Sequence, residues 1–266
     1  MLKIKAWSVV FFLAIAACSI FFFQSFVASA KTVDTIADIP TPKVEKPSLI
    51  LTPAIEIFNI ASCSTKDMGF SIASAKIPPG GGPMPHVHYF INEWFWTPEG
   101  GIELYSSARE YPDINHPPTQ DGAGKTDLYM INMQPRQVVY SPKHHVHGFV
   151  NSTTKTLPIT FVWLKDKVAP DFSFNDGGMR EYFTDSGVTI TDLNDLPQVT
   201  NTSRAAFVNL APEHGINQSS YFLQYVSTIS DQIPDELAKL KNDRDLRKIV
   251  QAIKAFNQGD KSVSCS

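Results

Sequence analysis

Five of the chain's seven histidines stand in two tight groups, His86 and His88, then His144, His145 and His147. Residues two apart on a strand share one face, so His86 and His88 can aim both imidazoles at one point. Glu93 follows five residues later, across Phe90-Ile91-Asn92, a stretch able to turn the chain and bring a carboxylate to the same point. Imidazole nitrogens and a carboxylate oxygen that converge are ligands for a first-row divalent ion. His86, His88, Glu93 and a third imidazole from the second group are candidates for such a set, because four unpaired polar groups buried together would otherwise be costly. His145 shares a face with His147 and is the alternative third imidazole. His144 is expected on the opposite face. His116 and His214 are expected at the surface, His116 within a loop that could fold over the site.

The elements that must position these groups are short. Residues 55–60, 70–77, 93–97, 101–105, 128–133, 137–140 and 158–164 are β-type runs separated by Pro and Gly, and several alternate apolar with polar residues. Many short strands at this spacing predict an all-β sandwich or barrel. A long insert at residues 106–126 is rich in turn residues and has the length of a lid or binding loop. Residues 31–48 read as an extended leader. After residue 168 helical patterns take over. Residues 202–214 predict a short helix stopped at Gly215. Ile233, Leu237, Leu240, Leu246, Ile249, Val250, Ile253 and Phe256 predict an amphipathic helix over 233–257, with a break allowed near Asn242-Asp243 and Gly259 just past its end. Such a helix packs on the barrel or on a second subunit.

Two stretches resemble the paired motifs of the cupin superfamily. Gly80, His86, His88, Glu93 and Gly100 match the first at every defined position, and Pro142, His147 and Asn151 match the second. Five fixed residues at roughly 2–7% each coincide in on the order of one chain in ten thousand. Two glycine positions of the second motif hold Arg136 and His144 instead, which puts local loop shape in question. Carried over residue by residue, the family's metal ligands fall on His86, His88, Glu93 and His147, and the Pro142–Asn151 spacing selects His147 over His145. The closer likeness, over roughly residues 68–216, is to quercetin dioxygenase-like proteins, through residues 77–83, 178–183 and 211–216. One motif pair implies a single cupin.

The resemblance implies a cupin-type double-stranded β-helix, or jelly-roll barrel, over residues 49–168, with a C-terminal helical extension over 169–266. It implies one divalent transition metal ion, from manganese, iron, nickel, cobalt, copper or zinc, with one or two coordination positions left open. It also implies a metal-dependent, dioxygenase-like enzyme acting on a small phenolic or enediol substrate, with Glu93 as ligand or as catalytic proton acceptor. Phe90, Trp94, Phe95, Trp96 and Phe149 are candidate cavity aromatics, although alternation forbids all of them facing inward. Asn151 is expected as an inward hydrogen-bonding residue. Two other readings stand beside this one: a cupin that binds or stores a metal or small ligand, and a decarboxylase or oxidase of a small carboxylic acid, paired with Arg109 or Arg136. A homodimer is the habit of the family.

Composition narrows the partners. The chain has 266 residues, 43% of them hydrophobic, which excludes wholesale disorder. A net charge of −3 with no basic block argues against nucleic acid. Lys3 and Lys5, an apolar run over 6–23 and Ala28-Ser29-Ala30 read as a secretory signal cut after residue 30. An uncleaved anchor, or a lipoprotein through Ile15-Ala16-Ala17-Cys18, are the alternatives, and they are the one membrane contact expected. The protein is thus expected to be exported, periplasmic or extracellular. Cys63 and Cys265 remain after cleavage, either as a bridge from tail to body or as two free thiols.

Overall fold

The computed structural model describes residues 36–45, 49–116, 128–167, 177–218 and 243–266. The expected signal at 1–30 and the first part of the expected 233–257 helix lie outside the described residues. All the described residues belong to one compact unit, Val33–Ser266. Its elements in chain order are β1 (Leu49–Leu51), β2 (Ile57–Ser64), β3 (Gly69–Ile77), β4 (His86–His88), β5 (Ile91–Trp96), β6 (Glu103–Glu110), β7 (Leu128–Asn132), β8 (Val138–Ser141), β9 (His145–Val150) and β10 (Leu157–Lys165). Then come α1 (Met179–Ser186), β11 (Val188–Ile190), α2 (Asn201–Leu210), a 3-10 turn (Ala211–His214), β12 (Ile216–Gln218), α3 (Asp243–Asn257) and β13 (Ser264–Cys265).

Two antiparallel sheets form the barrel. One runs β11-β1-β2-β3-β10-β5-β8, with β13 added on β2, and the other runs β12-β4-β9-β6-β7. Sequence neighbours are often not sheet neighbours: β10 lies between β3 and β5, and β9 between β4 and β6. That interleaving is the all-β jelly roll of cupin type.

Strand alternation gives the larger sheet two covered faces. Phe58 and Ile60 of β2, Ala73, Ala75 and Ile77 of β3, and Ile159, Phe161 and Trp163 of β10 point into the barrel. Ala61, Cys63, Phe70, Ile72, Trp94 and Val162 point the other way, onto Leu246, Ile249 and Ile253 of α3. The described part of the C-terminal helix therefore packs on the barrel, and the chain leaves it at left-handed Gly259, φ 89°. The leader is also tied down. Ile39 is buried and the Trp96 indole donates to the Ile36 carbonyl at 2.9 Å.

Two expectations change. The insert does not begin at residue 106, because β6 continues to Glu110, bonded to β7 and β9; residues 117–127 lie outside the described set. The region after 168 is helical in part, yet it also supplies strands, β11 and β13 to one sheet and β12 to the other. The motif departures keep the loop shape that glycine would give, since Arg136 (φ 62°) and His144 (φ 70°) both adopt the left-handed conformation. Gly215 is required on two counts. Its φ is 69°, and a Cβ there would sit 2.2 Å from the Phe90 ring.

Cys63 and Cys265 are bridged across 202 residues of sequence, tying β13 to β2 beneath α3. Such a long closed loop restricts the unfolded chain strongly. Replacing both cysteines with serine is expected to lower stability by about 2–4 kcal/mol in urea denaturation, and adding a reductant should reproduce the loss in the unmodified chain.

Candidate metal centre

The four sequence-derived residues meet. One ligand atom from each of His86, His88, Glu93 and His147 lies within 4.8 Å of all the others. His88 and His147 are 1% and 0% exposed, Glu93 3% and His86 9%. Sheet register brings them together: His86 stands directly opposite His147 in the β4–β9 pair, and Glu93 faces them from β5 in the other sheet, between Trp163 and Ser141. On the other edge of β4, Ile216 and Gln218 of β12 pair with His88 and His86.

Local carbonyls orient two of the rings. His86 Nδ1 donates to the Met84 carbonyl and His147 Nδ1 to the His145 carbonyl, each at 3.0 Å. A proton on Nδ1 leaves Nε2 with a lone pair aimed into the cluster. His147 Nε2 nevertheless lies 2.9 Å from Glu93 Oε2, and His88 Nε2 lies 3.2 Å from the same oxygen. The His88 approach is off the hydrogen-bond direction, and neither of its ring nitrogens has a hydrogen-bond partner among the described residues. A lone pair facing a carboxylate oxygen in a dry interior is repulsive unless a proton or a cation lies between them. Two donor atoms each about 2.1 Å from one ion, at right angles about it, stand about 3 Å apart. The residues fit a metal ion, and His88 has no other use for its nitrogens.

The electrostatics agree. Burial, followed by the neighbouring His147 and His88, holds His86 well below the ordinary imidazole range. Burial also lowers His88, with Glu93 offsetting part of it. Both are neutral and ready to ligate. Burial would raise Glu93, but the contacts of His147 and then His88 outweigh it and hold the carboxyl at about 2.

The remaining histidines sort by geometry. His145 lies outside the cluster. Its Nδ1 donates to the Ser107 carbonyl at 2.8 Å and its Nε2 lies 3.7 Å from Glu110, because the β6–β9 ladder shifts register between Ser106 and Glu110. His144 sits in the turn before β9, where its N–H donates to the His88 carbonyl at 2.7 Å. His116 is exposed and paired to Asp113 at 2.6 Å, so it does not cap the cluster. His214 corrects an expectation. It is buried, bonded to the Gly178 carbonyl and stacked near Tyr182, because the 3-10 turn packs on α1. Asn151 is inward, as expected, with its amide donating to Ile77 and Lys155 carbonyls at 2.7 Å.

A small chamber of about 30 Å³ adjoins the cluster. Of the aromatics expected there, Phe149 lines it and Phe95 stands in the core beside His147, while Trp94 and Trp96 face α3. Phe90 packs with Tyr89 and Val146 in a separate cluster, against Gly215. Phe161 and Trp163 of β10, Tyr182 and Phe183 of α1 and Phe207 of α2 complete the wall, and were not foreseen. Arg109 stacks over Tyr111, Arg136 lies in the turn before β8, and neither lines the chamber.

Glu56 was not foreseen either. It is buried on the chamber wall, and Thr52 Oγ1 donates to its Oε2 at 2.9 Å. Its one sequence signal is that it shares the parity of Phe58 and Ile60, both inward. Burial raises its carboxyl from 4.5 to about 8, with Thr52 opposing and Glu93 adding to the rise.

No family model matches the chain, and no curated protein does. Among solved structures it is similar to the Cnp3 cupin domain of Schizosaccharomyces pombe, at 15% identity over 42% of this chain and 63% of that one, with a TM-score of 0.30. KdgF from Halomonas sp. is similar at 14% identity over 50% and 94%, TM-score 0.29. A cupin-superfamily sugar phosphate isomerase from Silicibacter pomeroyi is similar at 19% over 39% and 52%, TM-score 0.26. Likenesses this loose carry no argument about this chain. Its own strand order and side chains define the class, a cupin-type jelly roll with three histidines and a glutamate clustered inside the barrel.

A group whose folded pKa stands above its unfolded value holds a proton that the unfolded chain has lost. Glu56 therefore makes stability fall as pH rises from about 4.5 to about 8, with no further loss beyond. Glu56→Gln is expected to reduce that fall by on the order of 2–4 kcal/mol, read as urea midpoints across the same window.

Proposed function

We propose that the protein is an exported, metal-dependent cupin oxidoreductase of the quercetin dioxygenase-like type. The observation that carries the metal centre is the shared Glu93 oxygen, approached by two imidazole nitrogens in a dry interior. His86, His88, His147 and Glu93 would hold the ion. A bound first-row ion would supply Lewis acidity and an open position for a substrate oxygen. The residues around it do the rest. The Met84 and His145 carbonyls fix two ligand rings, and Phe149, Phe161 and Trp163 exclude water. Two imidazole nitrogens converging on Glu93 Oε2 support Glu93 as a ligand over Glu93 as proton acceptor. Glu56, which keeps its proton near neutral pH, is the better placed proton donor to a substrate oxygen. The Cys63–Cys265 bridge supports export, since such bridges persist in oxidising compartments.

A second reading is favoured by one observation. A chamber of about 30 Å³ holds about two waters, so a phenolic ring needs the wall to open. The alternative is a cupin that binds a metal without turnover. Elemental analysis of the purified chain is expected to find a first-row metal that is lost in the His86→Ala, His88→Ala double variant while the far-UV spectrum is kept. Unchanged metal content in that variant would refute the site. Oxygen uptake by the metal-loaded protein with phenolics and enediols separates enzyme from binder.

A further inference from the structure

The chamber and the space outside it differ in scale. Beside the roughly 30 Å³ chamber lies a second cavity of about 340 Å³, within the range of small-molecule sites. The two share wall residues, Phe207 on α2 and Gln218 on β12. Gln218 is held in that wall by its Nε2, which donates to the Tyr182 hydroxyl at 3.1 Å. The turn from Thr52 to Glu56 is also common to both. Ile55 lines the outer pocket and Glu56 the chamber, so neighbours in sequence face opposite sides of one partition. Ile55 adopts φ 62°, a conformation that a β-branched residue rarely takes and that costs energy to hold. Backbone and side-chain hydrogen bonds between Thr52 and residues 55 and 56 hold it there.

The outer pocket is apolar with one charge. Arg204, on α2, lies on its wall, is exposed and has no ion pair among the described residues. No acidic residue among them lines the pocket. We propose that the outer pocket binds a small organic acid, with its apolar body against Ile55, Met84, Phe207 and Val208 and its carboxylate on Arg204, and that it reaches the chamber past Phe207 and Gln218. The passage to the histidines rests on the metal-centre reading above; the acid site does not. Arg204 takes the place that Arg109 and Arg136 were expected to fill for a carboxylic-acid substrate.

The test uses 1-naphthoate and its uncharged methyl ester, titrated calorimetrically into the full chain as purified. Naphthoate is expected to bind about tenfold more tightly than the ester, the difference a charged hydrogen bond makes. Arg204→Gln should erase that preference, and Val208→Trp, which fills the pocket, should abolish binding of both with the near-UV spectrum retained. His88→Ala should leave naphthoate affinity unchanged whatever it does to metal content, which keeps the acid site and the metal centre separately testable. Equal affinity for acid and ester, a preference that survives Arg204→Gln, or naphthoate binding lost in His88→Ala would each overturn the proposal.

Discussion

One oxygen atom organises the interior. Glu93 Oε2 is approached by His147 at 2.9 Å and by His88 at 3.2 Å, in the buried interior of the barrel. Burying a carboxylate and three imidazoles is tolerable only when their charges and lone pairs are matched. Much of the surrounding architecture serves that match. His86 and His147 are set across one pair of strands, Glu93 comes from the opposite sheet, and two backbone carbonyls decide which ring nitrogens face inward.

The ligands and the access to them belong to different parts of the chain. All four clustered residues lie on barrel strands β4, β5 and β9. One part of the chamber wall comes from later residues, Met179, Tyr182 and Phe183 of α1, Phe207 of α2 and Ile216 and Gln218 of β12. Most of those residues pack into the same core as the barrel interior, so the lid and the barrel share one hydrophobic cluster. Substitutions in the C-terminal region can therefore change what enters the chamber without changing what binds inside it.

Backbone strain sits in turns that lead into barrel strands. The non-glycine residues with left-handed backbone among the described residues are Ile55, Arg136 and His144. Each such residue costs roughly 1–2 kcal/mol. His144 turns the chain into β9 while its N–H bonds the His88 carbonyl, joining two ligand strands end to end. Ile55 places Glu56 at the chamber wall. Arg136 bonds back to the Thr97 carbonyl at 2.7 Å, fixing the approach to β8, which pairs with the Glu93 strand.

The clustering of His86, His88, Glu93 and His147 was legible in the residues because strand parity and fixed spacing act locally. His86 and His88 share a face by the period of a strand, and a match to Glu93 and His147 needs only the order of residues along the chain. The strand runs were legible for the same reason, and so was the helical stretch before Gly215, which is α2 followed by a 3-10 turn. Other features depended on contacts between distant segments, which no local pattern encodes. The spacing to Pro142 and Asn151 singled out His147, but that the His145 ring turns to the Ser107 carbonyl follows from a register shift against β6. His214 is buried because its turn packs on α1, and Glu56 is held inward by a turn that a strained Ile55 completes. The pairing of β12 with the histidine strand, and the closure of the chamber by α1 and α2, join residues far apart in the chain. Residue order determined which groups could ligate; long-range packing decided how they are enclosed and from which side they are reached.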